Sequence, residues 1–307
     1  MEDGNMRLLK VTTGLAQGGA ENQLVQLAIR LRQRGWEVVV VSMLPPAAYA
    51  DVLKEAGVYV HSLNMVRGCP DPRGVSKLAG IIRHFGPHVI HSHMVHANLL
   101  ARITRLLAPV PVLISTVHNT LEIGRFFKNE ASTHLAYRLT DRLADATTFV
   151  SQNSMRRFLQ RKAVRPEKAT YIPNGVDTQR FAPRVATRQV KRRELALEEG
   201  EFVWLAVGRL EEAKDYPTLL EAFSLLVNDL LVNEQRVTLL IVGQGSLEGV
   251  LRRLIAKHRL EDKVFLLGSR SDVPELMNMA DAYVMSSAWE GMPMVLLEAH
   301  ASGLPVV

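Results

Sequence analysis

Short runs of aliphatic and β-branched residues alternate with segments of helical periodicity along nearly the whole chain. Arg7–Thr12 (RLLKVT) predicts a strand, Thr13–Gly19 a loop, and Ala20–Arg34 a helix whose Leu24, Leu27, Ala28 and Leu31 recur at helical spacing. Gly35 closes that helix and Glu37–Ser42 (EVVVVS) is the next strand. The cycle repeats through strand Val58–His61, helix Val75–Phe85, strand His88–His91, helix Ala97–Leu107 and strand Val112–Val117. Nearly continuous apolar strands separated by helices imply a parallel sheet covered on both faces.

A second cycle follows Ile172. It runs through strand Phe202–Val207, helix Tyr216–Leu230, strand Thr238–Val242, helix Leu247–His258, strand Val264–Leu267, helix Val273–Asn278 and strand Ala282–Met285. Helix Pro293–Ala301 and a strand starting at Leu304–Val307 complete it. Between the cycles, Asn174–Gly200 is polar and strongly charged (RQVKRREL) and reads as an interdomain connection. With 307 residues, 47% of them apolar, the chain has material for two cores. The expected fold class is therefore α/β: two tandem doubly wound, Rossmann-like domains, residues 1–180 and 181–307, facing each other across a cleft. A sheet of this kind carries about six strands, and the chain stops at the start of its fifth, so the second domain is expected to be incomplete.

The single cysteine, Cys69, excludes an intramolecular disulfide and fits a reducing compartment. The polar start MEDGNMR does not read as a signal peptide, and no apolar run approaches the length of a membrane-spanning helix. Charge is uneven: residues 1–180 carry a net +10 and residues 181–307 a net −4. The basic half suits an anionic partner, whether a phospholipid headgroup, a pyrophosphate or a nucleic acid. Nucleic acid ranks low, because no aromatic residues interleave with the arginines and no nucleic-acid motif is present.

Ligands of open α/β sheets bind beyond the carboxyl ends of the strands, near helix N-termini. Four features fall there. Gly18 and Gly19, in Gln17-Gly18-Gly19-Ala20-Glu21, let the backbone approach a ligand, although a lone Gly-Gly pair also suits an ordinary turn. This is not the dinucleotide fingerprint, which counts against a dehydrogenase. Arg209 and Lys214, after the strand Phe202–Val207, would converge on a helix N-terminus with Asp215 as cap and Pro217 in the first turn, a suitable seat for a diphosphate. Isolated surface bases would instead be solvated. Glu290 precedes a helix start framed by Gly291 and Pro293, with Glu298 further along that helix. Carboxylates suit sugar and ribose hydroxyls; a glycosidase-like acid pair is disfavoured, because both residues belong to one short segment. Finally, His91, His93 and His96 cluster at the end of one strand and His118 follows another. A zinc site is conceivable, but packed or hydrogen-bonded histidines fit better without an accompanying cysteine or an HExxH helix. His118, expected to face the cleft, is the first to test.

Taken together, VTTGLAQGGAEN, VIHSHMVHANLLAR, TVHN, YIPNGVDTQRF, VGRLEEAKDYPTLLEAF, LIVGQGSLEGVL, VFLLGSRSDVPELMNMAD and EGMPMVLLEAHASGLPVV resemble the retaining glycosyltransferases of family four, which have the GT-B fold. The last block is similar to the E-x7-E signature of that family, and the N-terminal portion to the branch that builds bacterial capsule, O-antigen and exopolysaccharide. The resemblance implies transfer of a sugar from a nucleotide-diphosphate sugar to an acceptor with retention of configuration. It further implies that Arg209 and Lys214 bind the donor diphosphate, Glu298 the ribose and Glu290 the transferred sugar. Backbone at Gly291, Met292, Pro293 and Met294 would hold sugar and phosphate, and the segment Gly268–Val273, with Arg270, would meet the base. Gly18 and Gly19 would close over the diphosphate, and His118 would lie near the reacting carbon. No cofactor or metal is expected, in keeping with the lack of an Asp-x-Asp triplet.

The acceptor implied is a sugar or a lipid-linked pyrophosphoryl sugar, handled in the cytoplasm at the inner membrane face. Arg125–Lys128 (RFFK) and Met155–Leu159 (MRRFL) mix bases and apolar groups as a membrane surface would, or as helices packing their apolar sides inward would. An inactive truncated fragment that at most binds nucleotide sugar, and a nucleotide-sugar epimerase of the same architecture, are the alternatives.

Overall fold

The computed structural model describes residues 6–16, 18–69, 71–118, 130–198, 200–231 and 236–307. The chain divides into two units, Met1–Asn174 and Gly175–Val307. Residues 175–180, placed in the first domain from sequence, cluster with the second unit.

The first unit contains strands β1 (Arg7–Thr12), β2 (Glu37–Ser42), β3 (Tyr59–Ser62), β4 (Val89–His93), β5 (Val112–Val117), β6 (Ala146–Phe149) and β7 (Ala169–Tyr171). All pair in parallel in the order β3-β2-β1-β4-β5-β6-β7. Helices α1 (Gly19–Gln33), α2 (Tyr49–Glu55), α3 (Arg73–Phe85), α4 (Val95–Thr104), α5 (Glu130–Thr140) and α6 (Gln152–Gln160) cover it. Alternate strand residues supply two cores, because successive side chains leave opposite faces. Leu8, Val38 and Val40 pack with Leu24, Val25 and Ala28 of α1, whereas Leu9, Val11, Val39 and Val41 pack with Leu78 and Ile82 of α3 and Ala101 of α4.

The second unit begins with α7 (Val185–Glu194) and continues with β8 (Phe202–Val207), α8 (Tyr216–Leu231), β9 (Val237–Val242) and α9 (Glu248–Lys257). It ends with β10 (Val264–Leu266), α10 (Val273–Met279), β11 (Ala282–Tyr283) and α11 (Met294–Ala301). Its parallel sheet has the order β10-β9-β8-β11. Both sheets reverse strand order beside their first strand, at β1/β4 and at β8/β11. Such switch points open a crevice at the carboxyl ends of the strands.

Three sequence expectations change. The charged stretch read as a connection contains α7, which packs on α10. Arg188 and Arg192 both pair with Asp281 (2.6 and 3.3 Å), and Lys191 pairs with Asp272 at 2.8 Å. Its charges are internal ties, so low hydrophobicity misleads there. Residues 130–171 add α5, α6, β6 and β7, elements that the sequence reading did not delimit. The strand expected at Leu304–Val307 amounts to a single parallel bridge between Tyr283 and Val306.

Of the two segments considered for a membrane surface, Arg125–Lys128 lies outside the described residues. In the other, Phe158 is buried against Tyr137 and Phe149, and Met155 packs on the same cluster. Arg157 binds the Glu130 carboxylate through two nitrogens at 2.5–2.9 Å. The apolar side of α6 is turned inward. Among the described residues, no helix is long and apolar enough to cross a membrane.

Candidate active site

In the second unit, the loop after β8 and the loop after β9 stack backbone to backbone. Leu210 N–H donates to the Gln244 carbonyl at 3.0 Å, and Gly208 N–H to the Val242 carbonyl at 2.9 Å. A Cβ on Gly243, whose φ is +146°, would collide with the Gly208 carbonyl, and one on Gly245 with the Leu210 backbone. Only glycine permits this approach. A Cβ on Gly208 would meet only side-chain ends, Lys214 Cε at 2.7 Å and the Tyr216 hydroxyl at 3.0 Å. The packed loops fix Arg209 at the strand end. Its side chain is exposed and makes no hydrogen bond or ion pair among the described residues.

Lys214 ends a single 3-10 turn, Glu212–Lys214, and Asp215 at φ +46° swings the chain into α8. Asp215 was expected as the cap of α8; its carbonyl does accept from Leu219 N–H at 3.3 Å, from a left-handed conformation. Lys214 Nζ lies 2.6 Å from Glu290 Oε1, and Ser287 Oγ donates to the same oxygen at 3.2 Å. The segment around Glu290 is tied to this turn by Ser286 Oγ donating to the Lys214 carbonyl and by Ala288 N–H donating to the Ala213 carbonyl. Two residues 76 positions apart thus form one part-buried ion pair.

Gly291, Met292 and Pro293 lead into α11, with Pro293 as the cap and Met294 as first helical residue. Glu298 lies one turn into that helix and is only 8% exposed. Burial raises its pKa, partly opposed by the charge of Arg180. Among the described residues no group donates a hydrogen bond to its carboxylate, so its acceptor capacity is open to incoming hydroxyls. Arg270 is differently occupied. It binds Asp272 through Nε and Nη2 (2.8 and 2.6 Å) and approaches Glu194 at 3.6 Å. With Lys191 also on Asp272, the Asp272 carboxyl is held well below the usual carboxylate range, the hydrogen bond from Arg270 contributing most. Sequence reasoning found Arg270 but not the α7 partners that restrain it.

In the first unit, Gly18 caps α1 and its carbonyl accepts from Asn22 N–H at 2.9 Å, while Gly19 opens the helix. A Cβ on Gly18 would strike the Glu21 carboxylate. The histidines of β4 lie on one strand face beside Lys10 of β1, whose partner across the ladder is His91. Lys10 is fully buried, and desolvation lowers its pKa to about 7. Its Nζ is 3.4 Å from His91 Nδ1; His91 Nε2 is 2.7 Å from Thr116 Oγ1, which is 2.7 Å from Thr148 Oγ1. The rings of His91 and His93 are tilted by 36° with centroids 4.1 Å apart. His93 Nδ1 lies 3.0 Å from Nε2 of His118, which is 5% exposed and whose pKa falls to about 4, through burial and then the charge of Lys10. His96 lies beyond this chain in the first turn of α4, and burial lowers its pKa.

Met94, immediately after His93, has φ +72° and ψ 154°, a region essentially reserved for glycine that costs about 1–3 kcal/mol elsewhere. Lys10 was the residue that sequence reading passed over; a lysine inside RLLKVT was its signal. Among the described residues no three His, Cys, Asp or Glu side chains gather as they would around a metal ion.

Two parallel, doubly wound units, each with charged or polar groups at the strand ends beside its switch point, define an α/β protein of tandem Rossmann-like architecture. Residues 17–180 match the model for Glycosyltransferase Family 4 and residues 187–307 that for Glycosyl transferases group 1, so the chain belongs to glycosyltransferase family four. It is 30% identical over 244 residues to the UDP-Gal:alpha-D-GlcNAc-diphosphoundecaprenol alpha-1,3-galactosyltransferase of Escherichia coli, a match covering 77% of this chain and 61% of that relative. It is 27% identical over 313 residues to the putative glycosyltransferase EpsF of Bacillus subtilis, covering 100% of this chain and 80% of the other. Among solved structures, Anabaena HepE in complex with UDP and glucose superposes with a TM-score of 0.82 at 23% identity, covering 98% of this chain and 80% of HepE.

Proposed function

We propose that this chain transfers a sugar from a nucleoside-diphosphate sugar to an acceptor hydroxyl, with retention of configuration and without a metal. The observation that carries the reading is the arrangement after β8 and before α11. Among the described residues, it offers an Arg209 side chain with no bond, a Lys214 held by Glu290 alone among carboxylates, and a buried Glu298 with no hydrogen-bond donor. A diphosphate matches Arg209 and Lys214, and hydroxyl donors match Glu290 and Glu298. Binding would exchange Glu290 for phosphate at Lys214 and leave the carboxylate for the transferred sugar. As the bond to the diphosphate breaks, negative charge grows on the leaving oxygen. Fixed cations stabilise that charge more than they stabilise the bound donor, which lowers the barrier. The leaving phosphate then accepts the proton of the attacking hydroxyl on the same face.

The Anabaena complex with UDP-glucose, at a TM-score of 0.80, supports a uridine donor as the first to try. The acceptor named for the Escherichia coli relative supports a diphospho-polyprenol-linked sugar and hence work at a membrane surface. Arg270 toward the base and backbone at Gly291–Met294 toward sugar and phosphate complete the proposed set. The test is a thermal-shift screen against UDP- and GDP-sugars, followed by turnover with the sugar that binds. Arg209→Ala or Lys214→Ala should lower turnover by about a hundredfold or more. Unchanged turnover in both variants overturns the assignment.

A further inference from the structure

Residues 1–180 carry a net +10, and one face of the first unit shows that charge beside exposed aliphatic side chains. From α5 into the 3-10 turn that follows it (Asp141–Leu143), the exposed positions are Ala131, Leu135, Arg138, Leu139 and Arg142. They recur at helical spacing and form one stripe down the element. Leu139 is 74% exposed, and neither Arg138 nor Arg142 makes a hydrogen bond or ion pair among the described residues.

The end of α4 lies alongside. Arg102 Nη1 donates to Thr140 Oγ1 at 3.3 Å, and Arg105 Nη1 to the Leu143 carbonyl at 3.0 Å. Ile103, Leu106 and Leu107 are exposed there, Leu106 by 65%. Arg83, from the last turn of α3, donates to the Leu107 carbonyl at 2.8 Å. Single surface leucines need no explanation, but five aliphatic side chains gathered on two adjoining helix ends do. The carboxylates of α5 and of the turn after it are already engaged. Asp141 is buried and held by Arg165 at 2.7 Å, Asp145 pairs with Arg105 at 2.8 Å, and Glu130 pairs with Arg157. A protein-docking face would offer aromatic anchors inside a polar rim. This stripe has no aromatic residue, and its charge is of one sign. An anionic bilayer matches both of its components, because leucines can enter the acyl boundary while arginines stay among the phosphates.

We propose that the outer stripe of α5, with the end of α4, is the surface by which the first unit docks on an anionic phospholipid membrane. Met155–Leu159, which mixes bases and apolar groups in the sequence, turns its apolar side inward, whereas α5 turns its leucines out. The docking deepens the reading that the acceptor is lipid-linked, and it can be observed without sugar transfer.

The experiment is flotation of the full chain with vesicles of phosphatidylethanolamine and phosphatidylglycerol, and with vesicles of phosphatidylcholine alone. Binding should require the anionic vesicles and weaken as salt is raised. An arginine near an anionic surface strengthens binding about fivefold, so Arg138→Gln with Arg142→Gln should weaken it roughly thirtyfold. Leu135→Gln with Leu139→Gln should weaken it about a hundredfold, at roughly tenfold for each leucine withdrawn from the acyl boundary. All four positions are exposed, so melting temperatures should stay within about 3 °C. Arg34→Gln with Arg67→Gln removes the same charge elsewhere on the unit and should leave binding within about threefold. No binding to the anionic vesicles, unchanged binding in the arginine or the leucine pair, or an equal loss in the control pair overturns the proposal. So does self-association of the unaltered chain in sedimentation that the leucine pair abolishes, since a second copy would then cover the stripe. Vesicle binding without sugar transfer counts against the transferase reading alone, and transfer without vesicle binding against the docking surface alone.

Discussion

Replacing Lys10 by methionine should stabilise the first unit at neutral pH and destabilise it at high pH. Lys10 is wholly buried, and desolvation brings its pKa from 10.5 to about 7. The unfolded chain therefore binds a proton between pH 7 and 10.5 that the folded chain has largely released. Stability rises with pH wherever the unfolded state binds more protons. Each tenfold change in proton affinity is about 1.4 kcal/mol, so near pH 7 the folded state forgoes roughly 4 kcal/mol, and above pH 10.5 nothing. Methionine has a similar volume and no charge to desolvate, but it leaves His91 Nδ1 without its donor, a loss of about 1 kcal/mol. The variant should be more stable by roughly 3 kcal/mol at pH 7, equal near pH 10, and less stable beyond it. Calorimetric unfolding of both proteins from pH 7 to 10.5 measures the difference directly, because other titrating groups cancel. A stability difference that does not change across that range would refute the account of Lys10 as a desolvated amine.

Three further outcomes are expected. Glu298→Gln should move stability and ligand affinity in opposite directions. The raised carboxyl pKa means that the unfolded state loses its proton first as pH rises, so stability falls above the ordinary carboxylate range, and the amide removes that loss. Its melting temperature at pH 7 should increase while UDP affinity drops about tenfold, which calorimetric titration would show; parallel changes would rule the role out. Glu290→Gln should release Lys214, so that UDP binds as tightly or tighter while sugar transfer falls about a hundredfold; weaker UDP binding would contradict the exchange at Lys214. Gly243→Ala should lower stability by about 2 kcal/mol or more in urea unfolding, since φ +146° and the Gly208 carbonyl both oppose a methyl group, and a neutral result would show that the loops can separate.

The sequence by itself determined the two parallel sheets, because strands such as EVVVVS and LLIV are apolar on both faces and nothing but helices on each side can bury them. It also located the strand ends that carry Arg209, Lys214 and His118, because ligand crevices follow from strand order and helix starts. Where the pattern was short or charged it misled. The run RQVKRREL forms α7 because Asp272 and Asp281, far along the chain, neutralise its bases. Only the tertiary structure decided which charges meet. Lys214 finds Glu290 across 76 residues, Arg270 is taken up by Asp272 and Glu194, and Glu298 is left buried with no donor among the described residues. The same holds for Lys10, an unremarked lysine in a strand until β4 brings His91 beside it. Periodicity reports which face of an element is buried. Pairing and desolvation depend on distances between elements, and those exist only once the chain has folded.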